Sequence, residues 1–225
     1  MRFGFLLSLL AAVLLGLALL SESWWARAAL GWGALASAVP AAAYFFDRPR
    51  WLGKRLDGSI SPTRVLLLLP FFLVTWGIWH LRRLCGAGPF DVVGDGLYVG
   101  RRPLAGELPR DATLVVDLTS EFREVAPIRS LPGYCCLPAL DGRAPPIDEQ
   151  TRARVRAIAD HRGTVYVHCA VGYGRSAALA AAVLVIRGAA QSIAQAEQQM
   201  KQARRGIGLN ACQRRWARGV AGVER

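Results

Sequence analysis

Long apolar runs near the N-terminus constrain the fold of this chain more than any other feature of its sequence. Residues 3–20 contain no charged side chain, and a helix of that length just crosses the ~30 Å hydrocarbon core of a bilayer. A second uncharged run covers residues 28–46 and is rich in Ala and Gly, with aromatic residues such as Trp25 and Tyr44 near its ends. Aromatic ends are typical of the membrane interface, and small residues allow close helix packing. The two runs together predict a membrane-embedded helical hairpin.

A cleaved signal peptide is the alternative interpretation of the first run. Arg2 precedes the run, and residues 26–28 (Ala-Arg-Ala) match a possible cleavage site. Two tryptophans precede that triplet, however, and another apolar run follows it. This arrangement favours an uncleaved anchor.

A third apolar run, residues 65–79, leaves the membrane topology open. It is short and contains Pro70, so it either crosses with help from flanking residues or dips into the membrane and returns to the same side. Basic loops stay cytoplasmic, and residues 47–64 hold five Arg and Lys side chains. Three full spans would place the C-terminal part outside the cell, whereas two spans with a re-entrant third segment would keep it inside. We expect a multi-pass protein of the cell membrane whose C-terminal domain is cytoplasmic.

The charge of the chain is strongly basic, with a formal net charge of +12. Residues 1–89 hold 9 Lys and Arg against 3 Asp and Glu, and residues 90–225 hold 19 against 13. Half of the excess therefore lies among the apolar runs, where anionic lipid headgroups are the simplest partner. We expect the bilayer as a partner and no nucleic acid.

The composition excludes several classes of protein. Hydrophobic residues make up 53% of the chain, which excludes disordered and fibrous classes. The five cysteines form no CxxC pair and no Cys/His grouping. We therefore expect neither a zinc site nor a secreted disulfide framework.

The sequence pattern changes near residue 89, after a glycine-rich break. Short apolar runs then alternate with amphipathic helical periods, which is typical of an α/β fold with a central, mainly parallel sheet. We expect a membrane unit of two to three hydrophobic helices over residues 1–89 and an α/β domain over residues 90–225. The predicted strands are residues 96–100, 113–118, 133–137 and 164–168. The predicted helices are residues 147–161, 176–187, 190–204 and 210–223.

The segment HCAVGYGRS, from His168 to Ser176, joins the last predicted strand to an Ala-rich helix. Five residues between Cys169 and Arg175 let successive backbone N–H groups converge, and the helix N-terminus adds its positive end. Glycines permit the backbone angles that such a curl needs. The guanidinium of Arg175 supplies a planar fork for two phosphoryl oxygens. We therefore predict a phosphate-binding loop formed by Ala170, Val171, Gly172, Tyr173, Gly174 and Arg175.

The same loop favours a nucleophilic role for Cys169. A helix N-terminus and a guanidinium favour the thiolate form, which is the nucleophile. A buried structural cysteine is the alternative, but His168, Gly172, Arg175 and Ser176 at these spacings favour function. The GxxxxGK[ST] loop of nucleotide-binding ATPases is absent, because no Lys follows the glycines.

HCAVGYGRS resembles the signature loop of the cysteine-dependent protein tyrosine and dual-specificity phosphatases, HCxxGxxR followed by Ser or Thr. The resemblance extends over residues 90–225, and the whole chain resembles a membrane-anchored, bacterial-type member of that family. Residues 137–141 (LPALD), followed by two prolines, resemble the general-acid loop of the family. Residues 95–101 resemble its opening strand, and residues 208–213 resemble its closing helix.

The resemblance implies a phosphomonoester hydrolase that works through a phosphocysteine. Cys169 would attack phosphorus while Asp141 protonates the departing oxygen, and Asp141 would then activate water. Arg175 and the loop amides would hold the equatorial oxygens. Ser176 would help the sulfur to leave, and His168 would orient the loop and tune the thiolate. The resemblance implies no metal and no other cofactor.

Three positions leave alternatives open. Asp141 and the glycine after it could form a turn and nothing more. Asp117, at the end of a predicted strand, could be catalytic, although such residues commonly cap the next helix. Cys135 or Cys136 could form a reversible disulfide with Cys169.

The favoured substrate is a phosphorylated Tyr, Ser or Thr residue of a protein. Members of the family that act on inositol lipids or phosphatidylglycerophosphate often carry Lys directly after the catalytic cysteine, where this chain has Ala170. Membrane attachment favours a lipid substrate instead, because it concentrates the enzyme at the lipid surface. A membrane phospholipid phosphatase and an inactive phosphate-binding adaptor therefore stay as alternatives. The basic clusters at residues 152–156, 204–205 and 214–215 are expected to be solvent-exposed, with contact to an anionic membrane surface as the alternative.

Overall fold

The chain forms two compact units in the computed structural model. The structure describes residues 2–86, 88–104 and 106–223. The first unit consists of the N-terminal helices and also includes Ser120–Arg123. The second unit contains the β-sheet and its helices and also includes Leu56–Gly58.

Helices make up the first unit almost entirely. They are α1 (Arg2–Leu20), α2 (Trp24–Phe46), a 3₁₀ turn (Pro49–Leu52), α3 (Pro62–Leu67) and α4 (Leu69–Cys85). Helices α1 and α2 pack closely: a Cβ added at Gly4 would lie 3.3 Å from the Cβ of Tyr44. Most leucines of α1 point outward, as for Leu9, which is 63% exposed. Such an apolar outer surface is what a lipid environment requires.

Two helices in the described part of the chain, α1 and α2, are long and apolar enough to cross a membrane. The third apolar run forms α3 and α4 instead of one long helix, and Leu68 between them departs from helical backbone angles. The segment Ser120–Arg123 accepts two hydrogen bonds from other residues of the first unit, one of them in α4. Trp76 Nε1 donates to the carbonyl oxygen of Glu121 at 3.1 Å, and Lys54 Nζ donates to that of Phe122.

The second unit contains a five-stranded sheet in the order β1-β2-β5-β3-β4. The strands are β1 (Phe90–Gly94), β2 (Leu97–Arg101), β3 (Ala112–Thr119), β4 (Tyr134–Ala139) and β5 (Thr164–Cys169). Strand β1 pairs with β2 in antiparallel fashion, and the other pairs are parallel. The predicted α/β fold with a mainly parallel central sheet is therefore confirmed.

Strand β1 escaped the sequence prediction. Asp95 and Gly96 form the two-residue connection between β1 and β2, and Gly96 has a φ of +58°. An Asp-Gly pair between short apolar runs is a strong hairpin signal. That signal was available in the sequence.

Helix α7 lies at the centre of the larger core. The helices of this unit are α5 (Ala126–Arg129), α6 (Glu149–Asp160), α7 (Arg175–Ile186), α8 (Ile193–Ala203) and α9 (Ala211–Ala221). Helix α7 packs against α6, α8 and α9, and all of its residues from Arg175 to Leu184 are buried. Alanines allow this close approach on every side. Because residues alternate along a strand, Val165 and Val167 face this core, whereas Tyr166 joins a smaller cluster on the opposite face.

Candidate active site

The predicted phosphate-binding loop lies at the carboxyl edge of the sheet. Strand β5 ends at Cys169 and α7 begins at Arg175. Strand β5 is central, with β2 on one side and β3 on the other. Ligands of open α/β sheets bind at this edge, where strands end and helices begin. The location agrees with the loop's predicted role.

Two hydrogen-bonding groups lie next to the sulfur of Cys169. The backbone N–H of Gly172 donates to Sγ at 3.2 Å, and the hydroxyl Oγ of Ser176 lies 3.4 Å from Sγ. The sulfur of Cys169 therefore has one backbone and one side-chain hydrogen-bonding partner within the loop and the first turn of α7.

The carbonyl groups of the loop point away from its interior. The backbone N–H of Arg102 donates to Ala170 O, and that of Gly208 donates to Tyr173 O. The carbonyl of Gly174 accepts the first bond of α7, from the N–H of Ala178. Because each peptide unit directs its N–H opposite to its C=O, outward carbonyls leave the N–H groups on the inner side. Concave rings of N–H groups are anion-binding sites.

Arg204 holds the two remaining carbonyls of the loop. Its Nε donates to Gly172 O at 3.1 Å and its Nη2 to Val171 O at 3.3 Å. Its Nη1 pairs with Asp91 at 2.6 Å, and its guanidinium lies 4.8 Å from the ring centre of Tyr173. Arg204 is only 3% exposed, so the prediction of a solvent-exposed cluster at residues 204–205 was wrong for this residue. Its partners lie more than 30 positions away, and no local pattern could have revealed them.

Gly172 occupies a position that only glycine fits. Its φ is +80°, and a Cβ there would lie 2.6 Å from Gly100 O and 2.7 Å from Arg101 N. Those neighbours are backbone atoms of β2 and cannot move aside. The glycine therefore allows the curl that brings its own N–H to the sulfur.

Arg175 is fully buried and is fixed by the ends of two strands. Its Nη1 donates to the carbonyl oxygens of Ala139 at 2.9 Å and of Leu118 at 3.4 Å. Its Nη2 lies 3.3 Å from Oδ1 of Asp141. The side chain of Asp141 is 56% exposed, so it remains accessible from solvent. The structure thus pairs Arg175 with Asp141 at the edge of the sheet where β5 ends in Cys169.

The loop that carries Asp141 is attached to α9. Gly142 has a φ of +71°, so the predicted turn does form. Asn210 Nδ2 donates to Gly142 O at 2.8 Å, and Gln213 Nε2 donates to Arg143 O at 3.4 Å. Asn210 and Gln213 also form the capping box of α9. The turn and the helix start together fix the direction of Asp141, so a turn and an acid role are compatible.

Asp117 is completely buried and is occupied by structural hydrogen bonds. Its Oδ1 accepts from Thr119 N at 2.8 Å and from Thr119 Oγ1 at 2.7 Å. Its Oδ2 accepts from Tyr134 Oη at 2.8 Å. Burial, with Asp117 nearby, raises the pKa of Tyr134, so the phenol stays a donor. These contacts stabilise the end of β3 and leave Asp117 without access to a substrate.

The side chain of His168 is buried on the face of the sheet that carries Tyr166, opposite the larger core. A carboxylate lies near each of its ring nitrogens. Its Nε2 is 3.3 Å from Oε2 of Glu124, and its Nδ1 is 4.0 Å from Oδ1 of Asp117. The three side chains are buried, and among the described residues they form a group whose potential ligand atoms lie within 4.8 Å of one another. One ligand atom from each side chain could thus hold a metal ion. The imidazole ring lies between the two carboxylates without a hydrogen bond to either.

The structure disfavours the conceivable disulfide between β4 and Cys169. Cys136 pairs in register with Asp117, which pairs with His168, so strand β3 lies between Cys136 and the end of β5. Two strand spacings amount to about 10 Å, whereas disulfide-bonded Cα atoms lie within about 7 Å. Burial also raises the pKa of the Cys135 thiol, which opposes the thiolate needed for exchange.

A family model matches the domain directly. Residues 113–217 match the model described as "Swiss Army Knife protein, DSP-PTPase phosphatase domain". The match extends from β3 into α9 and contains Cys169, Arg175 and Asp141. No curated protein is significantly similar to the chain in sequence.

Several solved structures are similar to this chain. The active form of Tk-PTP superposes with a TM-score of 0.51 at 23% identity, covering 60% of this chain and 98% of that chain. Human DUSP28 has a TM-score of 0.47 at 24% identity, covering 61% of this chain and 95% of that chain. PTPMT1 in complex with PI(5)P has a TM-score of 0.49 at 18% identity, covering 60% of this chain and 95% of that chain. The match with Tk-PTP supports a phosphatase-like fold, and residues 113–217 are similar to a phosphatase domain model.

Proposed function

We propose that this domain hydrolyses phosphate monoesters through a phosphocysteine, and that its substrates are phosphorylated Tyr, Ser and Thr residues of proteins. One observation carries the proposal. The Sγ of Cys169 lies 3.2 Å from the N of Gly172, and the buried Arg175 at the other end of the same loop lies 3.3 Å from the carboxylate of Asp141. A nucleophile, an anion-binding loop and an acid thus meet at one edge of the sheet.

In the first step, the thiolate of Cys169 attacks phosphorus and the bond between phosphorus and the ester oxygen breaks. Asp141 gives its proton to that oxygen, because an alkoxide or phenoxide is a poor leaving group. Arg175 and the inward N–H groups of residues 170–175 stabilise the charge that shifts onto the three equatorial oxygens. The product is the free alcohol or phenol and a phosphocysteine.

In the second step, the ionised Asp141 takes a proton from water, whose oxygen attacks the phosphocysteine. The bond between sulfur and phosphorus breaks, and inorganic phosphate leaves. The hydroxyl of Ser176, 3.4 Å from Sγ, donates to the departing thiolate. His168 precedes the nucleophile and orients the start of the loop. The cycle closes with Asp141 protonated and Cys169 again a thiolate.

The form of the acid loop supports a broad choice of phosphorylated residue. Only the residues between Ala139 and Glu149 join β4 to α6, and the Asp141 side chain is more than half exposed. A short, open loop makes a shallow site. A shallow site admits phosphoserine and phosphothreonine, which reach less far from the backbone than phosphotyrosine.

We also propose that α1 and α2 anchor the protein in the cell membrane with the catalytic domain in the cytoplasm. Two antiparallel spans return the chain to the side on which it started. The connection Ser21–Ser23 has no basic residue, whereas Arg2 precedes the hairpin and residues 47–64 are basic. The positive-inside rule then assigns both ends of the hairpin to the cytoplasm.

A phospholipid phosphatase is the second candidate, and the apolar surface of α1 and α2 is the observation that favours it. A membrane anchor keeps an enzyme within reach of lipid phosphates. Ala170, in the position directly after the nucleophile, contributes no charge for a heavily anionic headgroup. For this reason we rank the lipid substrate second.

The full-length protein in detergent micelles or nanodiscs tests the proposal. We expect release of phosphate from p-nitrophenyl phosphate, loss of turnover in Cys169→Ser, and, on an alkyl phosphate whose poor leaving group needs the acid, a fall of about 10²- to 10⁴-fold in Asp141→Ala. Equal phosphate release from all three proteins would defeat the mechanism. Tight phosphate binding without turnover by the wild type would instead identify a phosphate-binding adaptor.

A substrate comparison separates the two candidates. Phosphotyrosine and phosphoserine peptides are compared with vesicles that contain phosphatidylglycerophosphate or a phosphoinositide. We expect a higher kcat/KM on the peptides. A higher value on either vesicle would establish the lipid function.

The exposed Cys212 on α9 reports the side of the membrane. A membrane-impermeant maleimide should label it in inside-out vesicles and not in right-side-out vesicles, with Cys212→Ser as the control. Labelling only in right-side-out vesicles would contradict the proposed topology.

A further inference from the structure

A polar group is buried directly behind the nucleophile, on the opposite face of the sheet from the larger core. His168 and Asp117 are 0% exposed and Glu124 is 1% exposed. Residues alternate along a strand, so the His168 side chain points away from Cys169 and stacks with Tyr166 at 5.7 Å. Burying such groups is unfavourable unless they have partners. The contacts among these three side chains must therefore offset the cost of burying them.

The carboxylate of Glu124 is held in place by contacts with its own loop and with Arg102. The Oε1 of Glu124 accepts from Val125 N at 2.8 Å and lies 3.6 Å from Nη2 of Arg102. Oε2 of Glu124 lies 3.3 Å from Nε2 of His168, within ion-pairing distance but without hydrogen-bond geometry. The carboxylate therefore lies against this edge of the imidazole ring.

The ring of His168 is thus located by neighbours on both sides. Asp117, fixed by Thr119 and Tyr134, lies near Nδ1, and Glu124 lies at Nε2. His168 is the last residue before the nucleophile, and its peptide unit leads directly into Cys169. A displacement of about 1 Å at reacting groups can lower a rate about 100-fold. The position of this ring therefore matters to the position of the sulfur.

We propose that Glu124 is a positioning residue that acts through His168 on Cys169. The inference rests on the proposed phosphatase function. Glu124 does not touch the substrate or the reacting atoms. It holds the imidazole and with it the end of β5, so that Sγ meets the N–H of Gly172 and the hydroxyl of Ser176. Sequence analysis missed Glu124 because no family signature near it was recognised.

The test uses full-length protein and compares Glu124→Ala, Glu124→Gln, His168→Asn and the double variant Glu124→Ala with His168→Asn. On p-nitrophenyl phosphate, we expect Glu124→Ala to lower kcat about tenfold, as removal of a partner from a buried polar group does. KM should change little, because Glu124 does not bind the substrate. Glu124→Gln should recover most of kcat, since its amide has nearly the same size and keeps a polar group against Nε2. The double variant should be no slower than His168→Asn alone, because residues that act as a unit are not additive.

The matched control is Glu107→Ala. Glu107 is a less deeply buried carboxylate, with 22% of its side chain exposed, and like Glu124 it pairs with an arginine, in this case Arg101. We expect this variant to be destabilised without a tenfold loss of kcat. An equal loss of kcat in Glu107→Ala, full additivity in the double variant, or wild-type kcat in Glu124→Ala would each overturn the proposal. If Glu124→Ala does not fold, Glu124→Asp decides instead, because it keeps the charge but withdraws the carboxylate, and we expect the same tenfold loss.

The rate of Cys169 alkylation by iodoacetate separates this inference from the proposed function. If the wild type does not turn over p-nitrophenyl phosphate, the phosphatase function fails. The alkylation rates of the same variants then still decide whether Glu124 positions Cys169 through His168. A slower rate in Glu124→Ala, absent on the His168→Asn background, supports the positioning role, and unchanged rates refute it.

Discussion

Replacing Gly172 by alanine tests whether the curl of the phosphate-binding loop is as tightly constrained as its geometry indicates. The φ of +80° is unfavourable for alanine, by about 1–2 kcal/mol. The added Cβ would also lie 2.6 Å from Gly100 O, whereas ordinary contacts begin near 3.4 Å. Relief requires a shift of roughly 0.8 Å, and shifts of about that size at reacting groups lower rates about 100-fold. The N–H of Gly172, now 3.2 Å from Sγ, would move by a similar distance.

The assay is kcat/KM on p-nitrophenyl phosphate together with urea unfolding, and Gly188→Ala is the matched control. Gly188 has a similar φ of +71°, but a Cβ there would meet nothing within 4 Å. We expect Gly172→Ala to lose about 100-fold in kcat/KM, and Gly188→Ala to lose only about 1–2 kcal/mol of stability. If the two variants keep kcat/KM within threefold of each other, the steric argument is wrong.

Three further outcomes follow from side-chain contacts of the second unit. Arg204→Lys should destabilise the domain by about 2–3 kcal/mol and lower kcat/KM, because lysine lacks the fork that reaches both loop carbonyls; wild-type values in both assays would contradict this. Asn210→Ala should lower kcat more for alkyl than for p-nitrophenyl phosphates, since only a poor leaving group needs the acid on Asp141; equal losses would contradict it. Arg101 lowers the pKa of Glu107 from 4.5 to about 2, and Arg214 does the same for Glu197. Their stabilisation is present above pH 4.5 and is lost as the pH falls toward 2, so Gln at either position should reduce the difference in melting temperature between pH 7 and pH 3.

Contiguous features were readily predicted from the sequence. The residues from His168 to Ser176 form a strand end, a loop and a helix start in direct succession, so their chemistry could be read without knowledge of the fold. Four of the five strands were predicted near their observed positions because their apolar runs are bounded by turn residues. The α/β class followed from their alternation with helices.

Features that depend on distant partners were not predicted. Arg204 belongs to a basic cluster typical of a solvated helix end, yet it is buried because carbonyls of the loop and Asp91 surround it. Glu124 contacts His168, 44 positions along the chain, because β3 and β5 are neighbours in the sheet. Strand pairing of this kind cannot be read from spacing alone. The third apolar run divided into α3 and α4, and its hydrophobicity did not reveal the break at Leu68.

The rate at which iodoacetate alkylates Cys169 tests whether the phosphate-binding loop activates this sulfur as a nucleophile. We expect Cys169 in the folded protein to react at least about tenfold faster at pH 6 than Cys169 in the urea-unfolded chain. We also expect inorganic phosphate to protect the folded protein. Alkylation no faster than in the unfolded chain, with no protection by phosphate, would show that the loop neither activates the sulfur nor binds phosphate beside it.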